Sequence, residues 1–492
     1  MISIAERPVD TGRAGHELNA TSRNNLMRFR HDFFFATGLL ITIASRALTS
    51  PLLADEPAGP ARPNIIFVLT DDQRWDALGC MGNPAIHTPN IDALAERGTL
   101  FTNMFCTTSI CATSRATFLT GQWERRHGID DFRTPLSSEQ FANSFPGLLR
   151  KNGYRTGMVG KWGLGGPLPN NDYDDFNGFS GQGRYFPKGQ LNEPGTHLTH
   201  RIGDQAVEFL DSCRADEPFL LQLYTKASHC QDGDPWPFQP DPRYRALFAD
   251  TTIPLPSTAT EEHFAALPEF LQTSEARKRW TIRFADAKMF QKSVKDYYRL
   301  IAGIDDIVGR LVKKLEQKKL ADNTVIIFTS DNGFYLGERG LAGKWFMHEE
   351  SIRLPLVICD FRLAEKSHPS RVAKIVLNAD IAPTILDLAG VPIPSTVQGQ
   401  SMVPHLNGKR VTWRDDFLYE HRFTHSRIPK TEGVRTKSWT YTRYTSIDPV
   451  YEELFDLEAD PHEESNLAGD PAHAAQLERL RDRWQELAKK RE

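Results

Sequence analysis

Short apolar runs rich in β-branched residues punctuate the chain at Ile65 to Leu69, Met158 to Val159, Phe219 to Tyr224, Val325 to Phe328 and Leu356 to Cys359. They are apolar at consecutive rather than alternate positions, which fits strands buried on both faces of a mostly parallel sheet. Helical patterns lie between them. The plainest runs from about Asp296 to Lys319, where Leu300, Ile304, Ile307, Val308, Leu311 and Leu315 follow helical spacing and make one apolar stripe. Strands alternating with such helices predict an α/β fold, a large mostly parallel sheet flanked by crossover helices.

The pattern changes after Gly390. The chain passes through Val391-Pro392-Ile393-Pro394, then gives strand-like runs at Phe417 to His421, Ser438 to Tyr444 and Tyr451 to Leu457, and closes with a helix from about Pro471. That order predicts a smaller C-terminal antiparallel sheet plus a helix. The stretch from Gln231 to about Lys288, rich in proline and polar residues, is expected to lie over the main sheet as an insertion. The organisation that follows is an N-terminal extension over residues 1–54, a catalytic α/β domain over residues 63–390 and a C-terminal subdomain over residues 391–492.

Within the extension, Arg28, Arg30 and His31 precede an apolar run from Phe33 to about Ala44, with Pro57 and Pro60 beyond it. Basic residues before a short apolar run describe a signal peptide, with Met27 as an alternative start. The run falls short of the roughly 20 apolar residues that span a bilayer, so a secreted or periplasmic protein without a transmembrane anchor is expected. The 59 basic and 63 acidic residues, net charge −4, are mixed along the 492-residue chain without a basic run, which speaks against nucleic acid as a partner. Six cysteines are too few for a disulfide scaffold, although export would permit one or two bridges.

Candidate chemistry gathers at strand ends. Asp71 and Asp72 follow directly on the strand Ile65 to Leu69, and Asp331 and Asn332 follow on Val325 to Phe328. Adjacent strand residues point to opposite faces, so each pair converges only where the chain leaves the sheet, at the carboxyl end where α/β sheets bind ligands. Three carboxylates and an amide oxygen suit a hard cation, Ca²⁺ or Mg²⁺ rather than zinc. Taken singly, either pair fits a solvated turn or a helix cap equally well. Cys111-Ala112-Thr113-Ser114-Arg115 precedes a helix-like segment, which sets Cys111 at a helix start with Arg115 one turn on and facing the same way. The free N–H groups of that turn and the guanidinium would both favour an anion. An isolated cysteine is more commonly a small buried apolar side chain.

Together these segments resemble the sulfatases of the alkaline-phosphatase superfamily, from about Pro63 to Ala468. The resemblance rests on Asn64 to Asp72, Thr88 to Asp92, Cys111 to Arg115 with Leu119-Thr120-Gly121, and Gly160-Lys161-Trp162. It continues through Ser330-Asp331-Asn332-Gly333, Gly343-Lys344-Trp345, Glu349-Glu350-Ser351 and Leu454-Phe455-Asp456-Leu457. It implies an alkaline-phosphatase-like fold and a sulfate ester hydrolase. Cys111 would be oxidised by a formylglycine-generating maturation enzyme to formylglycine, whose hydrate attacks sulfur with one hydroxyl and expels sulfate with the other. Asp71, Asp72, Asp331, Asn332 and the residue at position 111 would hold one metal ion, Ca²⁺ in preference to Mg²⁺. Arg115 would hold the formylglycine, Lys161 and Lys344 would grip sulfate oxygens, and His229 would protonate the departing oxygen. His127 and His348 lie near these segments without an assigned role.

Two positions depart from the family pattern. Thr113 stands where the family usually has Pro or Ala, and Gly163 stands where the Gly-Lys-Trp run usually continues with a histidine that assists sulfate release. The segment Asp172 to Phe186 carries Tyr173, Phe176, Phe179, Tyr185 and Phe186 among polar residues. That mixture would stack on sugar rings, so a sulfated carbohydrate is the expected substrate, the other reading being that these rings pack the loop onto the core. Alternatives are a phosphodiester or phosphonate ester hydrolase on the same fold, or a catalytically silent carbohydrate-binding relative.

Overall fold

The computed structural model describes residues 62–491 apart from positions 194 and 366, so the expected signal peptide lies outside the described residues. Its strands are β1 (Asn64–Asp71), β2 (Thr99–Phe105), β3 (Arg155–Lys161), β4 (Asp175–Phe179), β5 (Phe219–Ser228) and β6 (Thr324–Ser330). There follow the short β7 (Tyr335–Leu336) and β8 (Ala342–Gly343), then β9 (Arg353–Asp360), β10 (Arg371–Val372) and β11 (Val376–Leu377). The C-terminal part adds β12 (Asp416–His421), β13 (Thr431–Thr436), β14 (Trp439–Tyr444) and β15 (Tyr451–Asp456).

One nine-stranded sheet runs in the order β10-β2-β9-β6-β1-β5-β3-β4, with β11 also on β2. The strands β6, β1, β5, β3 and β4 are mutually parallel, while β9 is antiparallel to β6 and β2. Every residue of the central β1 is buried, because the sheet is covered on both faces. Ile65, Phe67 and Leu69 point to one face and pack with Phe118 and Leu119 of the Cys111–Thr120 helix. Ile66 and Val68 point to the other, against Ile304, Val308 and Leu311 of the Ala287–Gln317 helix. Each such side chain contributes about 1.5–3 kcal/mol on burial.

The expected stripe from Leu300 to Leu315 is the buried face of that helix, which starts earlier than its periodicity suggested. Asp286 caps it, its side chain accepting from Met289 N at 2.8 Å. The insertion before it folds into short helices, including Glu269–Gln272 and Glu275–Arg283. The C-terminal strands form the antiparallel sheet β12-β13-β14-β15, covered by the Ala474–Arg491 helix through Leu477, Leu480 and Leu487. Trp123 ties this sheet to the main one, its Nε1 donating to Leu418 O at 2.9 Å.

Besides the two-residue strands β7, β8, β10 and β11, three strands escaped the pattern for physical reasons. In β2 the register shifts between Phe101 and Met104, which breaks the apolar run, and β4 reads Asp-Phe-Asn-Gly-Phe on an outer position of the sheet. In β13, Gly433 is required because a Cβ there would lie 2.2 Å from Tyr441 O. All six cysteines are free, and among the described residues no helix is long and apolar enough to cross a membrane.

Near the end of β3, Gly160 has φ +102°, and a Cβ there would lie 1.9 Å from Tyr224 O on β5. A Gly160→Ala substitution should therefore push these strands apart beside Lys161 and lower stability by about 1–3 kcal/mol. Urea denaturation checks this, and an unchanged midpoint would show that the strands separate without cost.

Candidate active site

Parallel strands deliver the site. Asp71 ends β1 and Lys161 ends β3, while His229 follows β5 and Asp331 and Asn332 follow β6. These four strands are neighbours in the order β6-β1-β5-β3, so their carboxyl ends set the side chains around one point. Cys111 arrives from the side as the first residue of the Cys111–Thr120 helix, and Lys344 from the end of the β7–β8 hairpin. The sequence-predicted residues are thus all brought together.

Their contacts are direct. Lys344 Nζ lies 2.9 Å from Cys111 Sγ and also pairs with Asp72, while Cys111 Sγ is 3.3 Å from Asp71 Oδ1. Lys161 pairs with Asp71 and donates to Gln182 Oε1 at 2.6 Å. Arg115 Nε donates to Asp331 Oδ2 at 2.9 Å and Nη1 to Lys161 O at 2.7 Å, leaving Nη2 without a hydrogen-bond partner, 3.8 Å from Asp71 Oδ2. Asn332 Nδ2 donates to Asp72 Oδ1 at 2.6 Å, and its amide oxygen, also buried, has no partner. His229 Nδ1 donates to Cys230 O at 2.7 Å, which leaves Nε2 facing Asp72 Oδ2 at 3.6 Å.

Burial makes these charges interdependent. It would raise the Asp71 carboxyl, but Lys161, His229, Arg115 and Lys344 hold it well below the usual carboxylate range. Burial and the neighbouring Asp71 push Asp331 up to about 6, against Arg115. Burial would lower Lys344, yet Asp72 and the other acidic groups hold its ammonium well above its ordinary value. Burial lowers His229 to about 4, and it raises the Cys111 thiol with the help of Asp71. Ligand atoms of Asp71, Asp72, Cys111 and His229 all lie within 4.8 Å of one another, a grouping able to hold a metal ion. The crowded carboxylates and the unpartnered Asn332 oxygen fit a hard divalent cation.

Over Cys111 opens a pocket of about 180 Å³, whose apolar walls are Phe132, Trp345 and Phe423, with His425 stacked on Phe423. The aromatic residues expected to meet a sugar are elsewhere. Tyr173, Phe176, Phe179, Tyr185 and Phe186 pack in or against the two main cores, because β4 extends the sheet and its rings close the sheet's edge. Only Gln182 of that segment lines the pocket. Tyr185 does serve the site indirectly, donating to His229 O at 2.6 Å. The real walls come from three separated segments, and no periodicity marked them. His127 is buried against Thr117, and His348 Nδ1 lies 2.6 Å from Tyr335 Oη, both structural contacts.

Gly163 has φ +81°, and a Cβ there would lie 2.6 Å from Arg115 Cδ. The space a histidine would need is held by the arginine. A Gly163→His substitution should thus displace Arg115, lowering both turnover and melting temperature. A variant with higher turnover and unchanged melting would show that the arginine yields at no cost.

The sulfatase family model matches residues 63–391, and the model for the C-terminal part of N-sulphoglucosamine sulphohydrolase matches residues 337–490. An N-acetylglucosamine-6-O-sulfatase of Bacteroides thetaiotaomicron is 30% identical over 92% of this chain and 90% of its own. A protein solved in complex with its substrate D-glucosamine-2-N,6-O-disulfate superposes with a TM-score of 0.76 at 28% identity, covering 87% of this chain and 98% of that one. A phosphonate monoester hydrolase from Silicibacter pomeroyi shares the fold, with a TM-score of 0.74 at 23% identity over 88% of this chain and 96% of that one. With its buried cysteine, carboxylates and cations at the strand ends, this chain belongs to the sulfatases of the alkaline-phosphatase superfamily and is a sulfuric ester hydrolase.

Proposed function

We propose that the enzyme removes a sulfate ester from a sulfated carbohydrate, using formylglycine made from Cys111 and one divalent cation, Ca²⁺ in preference to Mg²⁺. The observation that carries this reading is the placement of Cys111 Sγ, buried between Lys344 and Asp71 at a helix start, where it marks the position of the modified side chain's oxygens. Burial, with Asp71 beside it, raises the thiol's pKa against the pull of Lys161 and Lys344, so an unmodified Cys111 would be a poor nucleophile. The carbohydrate substrate is supported by the N-acetylglucosamine-6-O-sulfatase and by the relative solved with a disulfated glucosamine. Export, to the periplasm or beyond, is supported by the basic residues and the Phe33 to Ala44 run.

Formylglycine, installed by a dedicated maturation enzyme, would supply the nucleophilic hydroxyl. Asp71, Asp72, Asp331, Asn332 and position 111 would hold the cation, which when bound would supply charge stabilisation and acidify that hydroxyl. Arg115, anchored on Asp331 and on Lys161 O, fixes position 111 from behind and keeps Nη2 free to meet it. Lys161 and Lys344 flank the position with ammonium donors suited to sulfate oxygens. His229 offers Nε2 on the open side of the site, its other nitrogen being engaged by Cys230 O, and would pass a proton to the departing alcohol from there.

Peptide mass spectrometry of protein from a host that matures sulfatases should find formylglycine at position 111, and Cys111→Ala should abolish turnover. Fully active protein carrying only thiol would refute the mechanism. Chelation should stop the reaction, and Asp331→Ala should lose bound metal, read by elemental analysis, along with activity. Full metal content in that variant would mean the ion sits elsewhere. Rates on matched sulfate and phosphonate esters separate this reading from ester hydrolysis at phosphorus.

A further inference from the structure

The wall of the Cys111 pocket facing the insertion is an ion-pair array that the chemistry at sulfur does not use. Arg279 sits half-buried on the Glu275–Arg283 helix, with Nε on Glu275 Oε1 at 3.1 Å and Nη1 on Asp232 Oδ1 at 3.1 Å. Its guanidinium lies over the Trp345 ring, 5.0 Å from the centroid, and Trp345 follows directly on Lys344. The same Asp232 oxygen accepts from Arg283 Nη2 at 2.8 Å and from Cys230 Sγ at 3.2 Å. All of these contacts fall on Oδ1, so Oδ2 of the partly exposed carboxylate and Nη2 of Arg279 are the groups left for something else. Asp232 is also within 4.8 Å of His229, one side chain from position 111.

Asp232 and Arg279 line both this pocket and a neighbouring cleft of about 460 Å³. They stand on the boundary between the two. A pocket of about 180 Å³ is small beside the roughly 300–1,000 Å³ usual for small-molecule sites, so the ring bearing the sulfate must reach this wall. A fixed acceptor beside a fixed donor is the complement of adjacent sugar hydroxyls, each of which both donates and accepts. The stack on Trp345 and the clamp by Glu275 hold the guanidinium in one orientation, which is what discrimination between hydroxyl positions requires.

We propose that the Asp232–Arg279 pair determines specificity by hydrogen-bonding hydroxyls of the sugar whose sulfate is attacked at position 111. This rests on the sulfated-carbohydrate reading. Sites built to hydrogen-bond a hydroxyl reject analogues that lack it, because the protein groups are left unpaired. The Arg283 and Arg427 partners of Asp232 and Glu275 remain when Arg279 is replaced, so the variant should fold.

The test uses the mature enzyme and Arg279→Gln, with N-acetylglucosamine 6-sulfate, its 3-deoxy and 4-deoxy analogues, and 4-nitrophenyl sulfate. The ratio of kcat/KM on the sugar to that on the aryl sulfate should fall about 10–100-fold in the variant. The wild type should lose a comparable factor on at least one deoxy analogue, and the variant should no longer distinguish that analogue from the parent sugar. A parallel fall on both substrate types, or a deoxy penalty that survives the substitution, would overturn the proposal while leaving the carbohydrate reading intact. Wild-type turnover of the aryl sulfate but of no sulfated sugar would overturn both.

Discussion

Three carboxylates, Asp71, Asp72 and Asp331, are buried at the carboxyl ends of adjacent strands and stand only because Arg115, Lys161 and Lys344 are buried with them. Taking one partner from a buried pair costs about 3–5 kcal/mol, since the other is left uncompensated. The array therefore constrains everything around it, from the chain path at Gly163 to the helix that carries Cys111. The same compensation supports function, because cations arranged to balance carboxylates also face the place where a sulfate would sit.

The sheet makes that concentration of charge possible. Side chains that alternate between two apolar cores anchor β1, β5 and β6 on both faces, so their ends are fixed in three dimensions. Polar residues just past the last apolar position then converge without loop flexibility. Arg115 adds a cross-brace between strand ends, joining the Cys111 helix to Asp331 beyond β6 and to Lys161 at the end of β3.

Around this centre the pocket is assembled from chain segments with no sequence relation to one another. Phe423 and His425 follow β12, Trp345 follows β8, and Asp232 and Arg279 belong to the insertion. On the proposed function, the demands of holding a tetrahedral anion fall on the sheet's carboxyl ends, the Cys111 helix and Lys344, while the groups able to read its leaving group lie on the elements around them. The two tasks are physically separable, since the cations that hold Asp71 down are Lys161, His229, Arg115 and Lys344, and Phe423, Trp345, Asp232 and Arg279 are not among them.

The sequence by itself determined the sheet's central strands, the long helix stripe from Leu300 to Leu315 and the antiparallel C-terminal sheet, because burial on one or two faces imposes a period that survives in the residues. It also determined the anchor residues at the strand ends, since each follows directly on an apolar run, and the family resemblance supplied Lys161, Lys344 and His229. Only the tertiary structure decided which aromatics face the pocket: Tyr173 and Phe186 went to the core, whereas Phe132, Trp345 and Phe423 line the cavity, and nothing in their local pattern differs. It also decided that Gly163 lies against Arg115, and that Asp232 meets Arg279 across the insertion. Period and motif record contacts between residues near in sequence or on one face of an element, whereas a pocket wall depends on how distant segments pack, which no single segment encodes.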